Sequence, residues 1–488
     1  EISACLVGSE MCIRDRSTTM HFMPGCEILQ SFDLVHWEHA TYVYETLDHT
    51  DAQQLKSGQN IYGQGMWAAS LRYHEGRFYI CFVANDTRKT YLYTSEKIDG
   101  PWKKQLIEGF YHDGSLLFDE DGRNYIVYGN DEIWITELNE DLTAPKKDGL
   151  HRLLVSDHKN PELGYEGSHI QKINGYYYIF LVHSLRDRWM RTEACFYSDS
   201  LEGEFTGGDV LCDDRGYCGQ GVAQGGIVDT PDGKWYAMLF QDSGAVGRIP
   251  ILVPVTWKDH FPVFGQNGHV PEEIEVHSTR PGYIYQPLVG SDDFCNGLLP
   301  RWQFNHDPDP RYYHLDALQG TYTITTREVC TELTQAVNTL TQRMSYPSCA
   351  AEVTVDASAL KEGDVAGLCA LQSCYAAVGI TKHHGKYEVL MLDKKEDGIL
   401  DMTERTVVES HQMDFRLEAD FCNMKDEARC YYRVNKGDWL PIGTVHKLYF
   451  KLDHFTGCRF GLFCYAAEET GGSACFRDFK YYDVDEIS

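Results

Sequence analysis

Two carboxylates stand at matching places in this chain of 488 residues. Asp113 lies nine residues before Gly122, and Glu166 lies nine residues before Gly175. Both glycines begin the same short pattern, so the two carboxylates occupy equivalent positions in successive repeats. Two carboxylates that converge on one pocket can hydrolyse a glycosidic bond, one of them donating a proton to the departing oxygen. That acid needs a raised pKa, which a neighbouring negative charge and partial burial would provide.

Each carboxylate also has an ordinary alternative role. Asp113 could cap a turn, and Glu166 could pair with an arginine. The functional interpretation is favoured because Trp67 and Gln224 lie nine residues before the corresponding glycines of two further repeats. Trp67 offers a flat apolar face for a sugar ring, with channel packing as its alternative. Gln224 can hydrogen-bond sugar hydroxyls or a water.

The repeated pattern is a glycine, two residues, a tyrosine and an apolar run. Its glycines are 46, 53 and 58 residues apart, in Gly76–Tyr79, Gly122–Tyr125, Gly175–Tyr178 and Gly233–Tyr236. Each copy fits a turn followed by a strand, and the period suits a four-stranded propeller blade. We therefore predict a β-propeller whose inner strands line one axial pocket. It would be five-bladed, because a fifth copy of the pattern is expected just upstream of Ser17. An ordinary β-sandwich with similar hairpins is the alternative.

The composition excludes several classes of partner. A formal net charge of −29 argues against nucleic acids and anionic membranes and favours a neutral or cationic substrate, with solubility as the alternative role of this charge. The 17 cysteines show no metal-binding spacing, which indicates reduced thiols in a cytoplasmic protein. The sequence has no apolar run long enough to span a membrane.

Residues 1–16, EISACLVGSEMCIRDR, differ in character from the rest of the chain. They have neither the pattern of a blade strand nor the apolar core of a signal peptide, and they resemble translated sequencing-adapter sequence. We expect genuine sequence to resume near Ser17, which would leave the first blade without its first strand. A disordered natural N-terminus is the alternative, and the authentic start of the protein stays open.

Two domains are expected, a propeller over residues 17–280 and a β-sandwich over residues 281–488. The glycine–tyrosine repeats end near residue 260, and a connector containing Gly and Pro comes after them. Short strands between turns, without helical periodicity, are typical of a concanavalin-like jelly roll. Such a sandwich can bind sugars or only support packing. We expect its segment from Trp302 to Asp309 to cover one side of the pocket, which favours exo action.

At these residues the chain resembles glycoside hydrolase family 43, above all its bacterial β-xylosidases and α-L-arabinofuranosidases. The similarity runs from about Ser17 to the C-terminus and is carried by YHDGSLLF, YEGSHI and GAVGR, among other segments. It implies exo-acting, inverting hydrolysis of oligosaccharides derived from xylan or arabinan. Glu166 would be the general acid and Asp113 the group that tunes its pKa.

The resemblance also implies binding residues. Arg248 would contact the bound sugar, and His21 and Phe22 of the HFMPG segment would lie at the pocket rim. Gly114 and Ser168 replace prolines of the family motifs, which we interpret as subfamily variation. The resemblance does not separate xylose from arabinose as the preferred sugar, and it is compatible with a homo-oligomer.

The chain departs from the family at the general base. The family carries this aspartate on the first inner strand, where residues 1–16 stand here, and Asp15 does not match the motif. Loss of a general base removes about 10²–10⁴ in rate, so we expect this chain to be severely impaired. A non-catalytic carbohydrate-binding propeller is the alternative function.

No cofactor is expected to be required. Gln224 stands where many relatives carry a histidine near a channel ion, which argues against a central calcium. The resemblance allows a structural calcium between the terminal strands of the sandwich, near Asp293 and Asp478.

Overall fold

The protein is an all-β molecule in which five four-stranded sheets are followed by a sandwich of two larger sheets. The computed structural model describes residues 2–9 and 12–483, with the backbone alone for residues 2–9. The predicted propeller and β-sandwich are confirmed. Helical structure in this described part comprises short 3-10 turns at Lys56–Gly58, Gly244–Val246, Leu333–Gln335, Cys422–Met424 and Leu452–His454. None of the helical turns among the described residues could span a membrane.

The propeller strands follow one another blade by blade. Blade 1 contains β1 (Ile2–Ser9), β2 (Cys12–Ser17), β4 (Gly25–Ser31) and β5 (Glu38–Tyr44). The short strand β3 (Phe22–Met23) lies between β2 and β4 in the chain but does not join this sheet. Blade 2 contains β6 (Met66–His74), β7 (Arg77–Ala84), β8 (Lys89–Ser95) and β9 (Lys103–Ile107). Blade 3 contains β10 (Ser115–Phe118), β11 (Asn124–Asn130), β12 (Glu132–Leu138) and β13 (His151–Ser156). Blade 4 contains β14 (Glu166–Ile173), β15 (Tyr176–Ser184), β16 (Arg191–Ser198) and β17 (Thr206–Leu211). Blade 5 contains β18 (Ala223–Asp229), β19 (Trp235–Asp242), β20 (Arg248–Lys258) and β21 (Phe261–Phe264).

The repeated glycines make the turn between the first and second strands of blades 2 to 5. Their φ angles lie between 78° and 84°, in the left-handed region that glycine adopts without steric cost. Aromatic and aliphatic side chains come next in the second strand, as in Arg77–Ala84, and pack between neighbouring blades. The turn and the strand therefore have the same local cause in every repeat.

Blade 1 has four strands, so the prediction of a truncated first blade is wrong in this respect. β1 pairs antiparallel with β2 and contacts the inner strands β6 and β18, which places it innermost in the ring. Ladder hydrogen bonds join backbones and do not depend on side-chain type, so a segment without strand-like patterning can still complete the sheet. Residues 2–9 read ISACLVGS and contain no carboxylate.

The sandwich strands form sheets of eight and seven strands. They are β22 (Gln303–Asn305), β23 (Tyr313–Asp316), β24 (Thr321–Thr325), β25 (Leu340–Arg343), β26 (Ser348–Asp356), β27 (Val365–Leu371), β28 (Ala376–His383), β29 (Lys386–Lys394), β30 (Leu400–Val408), β31 (Gln412–Asp420), β32 (Glu427–Val434), β33 (Leu440–Lys447), β34 (Arg459–Tyr465) and β35 (Ser473–Asp483). The larger sheet has the order β3-β22-β25-β34-β27-β28-β29-β30, and the smaller has β23-β24-β35-β26-β31-β32-β33. β3 is an edge strand of the larger sheet, so the propeller chain itself extends the sandwich.

The connector between the domains, residues 265–290, runs back along blade 1. The Tyr285 hydroxyl accepts a hydrogen bond from the Phe32 amide at 2.8 Å. The Gln286 amide donates to the Glu38 carboxylate at 2.9 Å, and the Tyr283 hydroxyl donates to the same side chain. The connector is thereby held on the propeller surface.

The two domains share one hydrophobic core. The largest buried cluster fills the sandwich and also takes in Ala245 and Val246 of the propeller. A loop of the sandwich docks there, because the Cys458 amide donates to the Ala245 carbonyl at 2.8 Å. Gly457 allows this approach, since an added Cβ would lie 2.0 Å from the Val246 carbonyl oxygen. This contact fixes the loop that precedes it, residues 452–456, over the mouth of the propeller.

Candidate active site

A cavity of about 370 Å³ lies where the sandwich loop meets the inner strands of the propeller. The residues that share the offset of nine all line it, namely Trp67, Asp113, Glu166 and Gln224. Arg248 lines it as well. The remaining lining residues come from several blades and the sandwich, and are Ala68, His112, Asn130, Glu162, Leu163, Trp189, Arg191, Leu452 and Phe455. The repeat register thus brings the predicted residues into one pocket.

The inner strands are irregular where they reach this cavity. In β6, β14 and β18 the pairing shifts by one residue between Met66 and Ala69, Glu166 and His169, and Ala223 and Gly226. Such a β-bulge turns a side chain away from the regular pleat and often occurs beside functional sites. The bulges therefore explain how equivalent side chains in three blades point into the same space.

Two cavity residues adopt a left-handed backbone that their side-chain types disfavour. Asp113 has φ 49° and Gln224 has φ 66°. Asp113 Oδ2 accepts a hydrogen bond from the Gly167 amide at 3.0 Å, and the Gln224 amide donates to Glu193 Oε2 at 2.7 Å. These bonds hold a conformation that costs about 1–3 kcal/mol per residue, as is common at functional sites. Gln224 Oε1 is buried and has no hydrogen-bond partner within the described residues.

Asp113 and Glu166 form a close pair with His112. One ligand atom from each of the three side chains lies within 4.8 Å of the others. His112 Nε2 lies 3.7 Å from Asp113 Oδ2 and also 3.7 Å from Glu166 Oε2. Asn130 Nδ2 donates to Glu166 Oε2 at 2.8 Å. The Asp113 side chain is only 6% exposed, whereas that of Glu166 is 17% exposed towards the cavity.

The electrostatics of this pair differ from the prediction. Burial and the nearby Glu166 carboxylate raise the pKa of Asp113, against the charge of His112. Burial also pushes the pKa of Glu166 upward, but the neighbouring His112 and the charges of Arg191 and Arg248 outweigh it and leave that pKa lowered. The prediction of a raised pKa for Glu166 is therefore wrong for the open site, because these cations come from segments that the repeat pattern does not mark.

Two arginines share one carboxylate at the side of the cavity. Arg191 Nε lies 3.0 Å from Asp242 Oδ2, and Arg248 Nε lies 3.3 Å from Asp242 Oδ1. All three side chains are at least nine-tenths buried. Arg191 Nη1 is buried without a hydrogen-bond partner in the described part of the chain. It is thus a donor available to a hydroxyl group in the cavity.

The sandwich contributes an apolar wall through Phe455 and Leu452. The Phe455 ring lies edge-on to Trp67, with centroids 5.4 Å apart, and the guanidinium carbon of Arg248 lies 4.4 Å from its centroid. The prediction that residues 302–309 cover the pocket is wrong. Trp302 is buried in the sandwich core, and Asp307 accepts a hydrogen bond from His49 at the domain interface.

His21 and Phe22 also lie outside the cavity, so the prediction of rim positions is wrong. Both side chains are fully buried at the domain interface. Phe22 pairs with Asn305 of β22, and the guanidinium carbon of Arg459 lies 3.7 Å from its ring centroid. The HFMPG segment is drawn away from the pocket because β3 joins the sandwich sheet.

Asp15 does not reach the cavity either. It is buried in β2, and its Oδ1 accepts a hydrogen bond from the adjacent Arg16 amide at 2.7 Å. The carboxylates among the described lining residues are Asp113, Glu166 and Glu162, the last of which is exposed. Within the described part of the site, no carboxylate faces the cavity from blade 1.

Several lining residues escaped the sequence argument. His112 carried a signal, since it directly precedes Asp113. Asn130 ends β11, Arg191 begins β16 and Trp189 lies in the loop before β16, away from the positions that the offset of nine marks. Phe455 could be found only from the docking of the sandwich.

Two metal sites can be weighed. Among the described residues, one set of three His, Cys, Asp or Glu side chains has converging ligand atoms, namely His112, Asp113 and Glu166. Arg191 and Arg248 already supply positive charge there, which disfavours a metal ion. Asp293 and Asp478 are both exposed, and Asp293 Oδ1 accepts a hydrogen bond from the Cys295 amide. No third acidic, His or Cys ligand in the described part joins them, so the calcium site stays a prediction.

The sequence matches two families of known proteins. Residues 13–262 match Glycosyl hydrolases family 43, and residues 291–482 match the Beta xylosidase C-terminal Concanavalin A-like domain. A Beta-xylosidase of Formosa agariphila is 25% identical, over 96% of this chain and 85% of that protein. The Non-reducing end alpha-L-arabinofuranosidase BoGH43B of Bacteroides ovatus is 23% identical, over 82% of this chain and 77% of that protein.

Solved structures agree with these matches. A Bifunctional GH43-CE protein of Bacteroides eggerthii is 40% identical, with a TM-score of 0.91 over 99% of this chain. The chain spans only 62% of that protein. A GH43 glycoside hydrolase engineered for endo-xylanase and exo-arabinofuranosidase activity is 26% identical, with a TM-score of 0.86 over 98% of this chain and 97% of its own. The chain therefore belongs to glycoside hydrolase family 43 and is a glycosidase that hydrolyses glycosyl bonds.

Proposed function

We propose that the chain removes single pentose units, as a β-xylosidase or an α-L-arabinofuranosidase, from the ends of xylan- or arabinan-derived oligosaccharides. The observation that carries this proposal is the Asp113–Glu166 pair at the cavity, with Asn130 bonded to the exposed carboxylate. The relatives named as xylosidases and arabinofuranosidases support the substrate class. Exo action is supported by the wall of Phe455 and Leu452, which closes the cavity on the sandwich side.

Glu166 is the general acid in this proposal. It is the more exposed of the two carboxylates and carries the cavity-facing hydrogen bond from Asn130. Asp113 instead accepts from the Gly167 amide, directly after Glu166 in the chain. In this proposal Asp113 therefore positions Glu166 and tunes its pKa.

The short distance within the pair excludes Asp113 as the base of an inverting mechanism. Its nearest oxygen lies within 4.8 Å of Glu166, whereas an inverting acid and base stand about 6.5–9.5 Å apart to admit a water. The base would then come from blade 1, whose inner strand reads ISACLVGS. We therefore also propose that hydrolysis by this chain is impaired by the lack of a carboxylate on that strand.

The test is hydrolysis of p-nitrophenyl β-D-xylopyranoside and p-nitrophenyl α-L-arabinofuranoside, with and without sodium azide. Azide is already a nucleophile and needs no base, so it should raise a slow rate by about 10-fold or more, up to the 10²–10⁴ that a base contributes. The same assay on the Glu202→Gln variant controls for a change of charge, because Glu202 is an exposed turn residue of blade 4.

A carbohydrate-binding protein without catalysis is the alternative. Pentose or oligosaccharide binding without hydrolysis of either glycoside, even with azide, would establish it and would contradict the proposed activity. A rate that is high without azide would contradict the proposed impairment and require another base.

The described cysteines, from Cys12 to Cys475, are free thiols, which supports the further proposal of a reducing compartment.

A further inference from the structure

His112 is a titratable group in the cavity to which the proposed reaction gives no task. Its Nε2 is equally distant, at 3.7 Å, from Asp113 Oδ2 and from Glu166 Oε2. The imidazole is 23% exposed and faces the Trp67 ring, with centroids 6.2 Å apart. His112 can therefore exchange a proton with Glu166 after a small movement of either side chain.

The charges around His112 favour its protonated form. Asp113, and then Glu166, raise the pKa of His112 to about 9, against burial and the more distant charge of Arg88. Arg191 and Arg248 also line the cavity, and their charges favour the ionised form of Glu166. In the open site near neutral pH, His112 is thus cationic and Glu166 is anionic.

That distribution leaves the general acid without the proton it must donate. A sugar that fills the cavity expels water, and the loss of water makes a pair of opposite charges more costly relative to a neutral pair. Protonated Glu166 beside neutral His112 holds the same number of protons as the charged pair. Asp113 keeps the hydrogen bond from the Gly167 amide and the charge of Arg248 in either arrangement, so substrate binding favours protonated Glu166 beside neutral His112.

We propose that His112 stores the proton that Glu166 delivers, and that a bound sugar drives its transfer from His112 Nε2 to Glu166 Oε2. The N–H bond on Nε2 breaks as the O–H bond on Oε2 forms. The same proton then passes to the departing glycosidic oxygen as its bond to the anomeric carbon breaks. Water adds to that carbon and releases a proton to solvent, and a solvent proton reloads His112. The inference goes beyond the proposed function but rests on it.

The first test does not require turnover. In the full chain labelled with ¹³Cε1-histidine, the His112 resonance is identified by its loss in His112→Asn and, independently, in His112→Gln. We expect its midpoint near pH 9 in the unmodified chain, and a fall of about one unit or more in Glu166→Gln. The Glu202→Gln variant should leave the midpoint unchanged.

The second arm measures the transfer itself. At pH 8, saturating D-xylose or L-arabinose should move the His112 resonance towards its neutral position, and this movement should be absent in Glu166→Gln. The inference would be overturned if the titration midpoint of His112 were the same in Glu166→Gln. It would also be overturned if the His112 resonance did not move on addition of a sugar that calorimetry shows to bind.

The kinetic arm separates storage from packing. His112→Asn should lower kcat/KM for substrates with poor leaving groups more than for 2,4-dinitrophenyl glycosides. In the pH profile of kcat/KM for the poor leaving groups, the alkaline limb should move down by about one pH unit or more. Equal losses on both kinds of substrate with an unmoved limb would contradict the inference. If no pentoside is hydrolysed even with azide, the proposed function fails, whereas the coupling of His112 to Glu166 is decided separately by the titration.

Discussion

The propeller wall and the sandwich wall of the cavity are built in different ways. Trp67, Asp113, Glu166 and Gln224 come from equivalent places in successive blades, so one local pattern delivers four side chains. Phe455 reaches the same cavity only because its loop docks on the propeller turn at residues 244–246. The first wall is set by repetition and the second by long-range packing.

The two walls also differ in chemistry. The propeller side holds the carboxylates, the arginines and His112, whereas the sandwich side presents the apolar side chains of Phe455 and Leu452. Apolar closure strengthens the electrostatic interactions opposite it by excluding water. The propeller wall therefore holds the charged groups, whereas the sandwich wall limits the access of water, so changes in the two walls should have separable effects.

The largest effect is expected at Glu166. Glu166→Gln removes the proton donor and should lower kcat/KM for substrates with poor leaving groups by about 10²–10⁴. Activated leaving groups depart without protonation and should be affected much less. Steady-state kinetics on a series of aryl glycosides measures how kcat/KM depends on the leaving group. Glu202→Gln should leave this dependence unchanged. A uniform loss across the series would contradict the assignment of Glu166 as the acid.

A large loss of stability is expected at Asp242. Asp242→Ala leaves Arg191 and Arg248 buried without their carboxylate, which should reduce the free energy of unfolding by about 3–5 kcal/mol. Urea unfolding measures this change. Asp121→Ala removes an exposed ion pair with Arg123 and should cost less than about 1 kcal/mol.

This ion pair also predicts a dependence on pH. Burial raises the pKa of Asp242, but Arg191 and Arg248 outweigh it and leave that pKa below its ordinary value. The stabilisation is therefore present above the ordinary pKa of an aspartate and is lost as the pH falls through the lowered value. The difference between the unmodified chain and Asp242→Ala should shrink in strong acid. A difference that stays constant down to that range would show that charge is not the cause.

The sandwich wall should respond mainly in stability and substrate binding. Phe455 is 3% exposed, and Phe455→Ala should cost about 3 kcal/mol or more in unfolding and raise KM more than it lowers kcat. Leu452→Ala, at a side chain that is 65% exposed, should cost no more than about 0.5 kcal/mol. A fall in kcat as large as that of Glu166→Gln would break the proposed division between the two walls.

The smallest effect is expected at the rim. Trp189 is 42% exposed beside the cavity, and the guanidinium carbon of Arg191 lies 5.2 Å from its ring. Trp189→Ala should weaken the binding of a disaccharide by about 0.5–1.5 kcal/mol, the usual contribution of one aromatic contact. The binding of a monosaccharide should be weakened less. Calorimetry in the Glu166→Gln background compares the two ligands, and equal losses would contradict a rim contact.

The sequence predicts the parts of the site that depend on local repetition. The offset of nine residues places Trp67, Asp113, Glu166 and Gln224 correctly, because a fixed distance from the hairpin turn fixes the position on the inner strand. The fold class has the same origin, since each blade repeats one turn-and-strand pattern.

The remaining features depend on contacts that no local pattern encodes. Phe22 looked like a rim residue, but β3 joins the sandwich sheet and carries it into the domain interface. A neighbouring negative charge and partial burial predict a raised pKa for the acid, whereas His112, Arg191 and Arg248 leave the pKa of Glu166 lowered. Such effects arise only once distant segments are packed together.

The most direct test of the central claim is the anomeric configuration of the sugar released first, followed by proton NMR. If Asp113 tunes the acid and does not attack the sugar, the released sugar is inverted, or an inverted glycosyl azide forms when azide is supplied. Retention would contradict this role of Asp113. Because the two carboxylates lie within 4.8 Å, close to the spacing of about 5–5.5 Å in retaining enzymes, retention would identify Asp113 as a nucleophile.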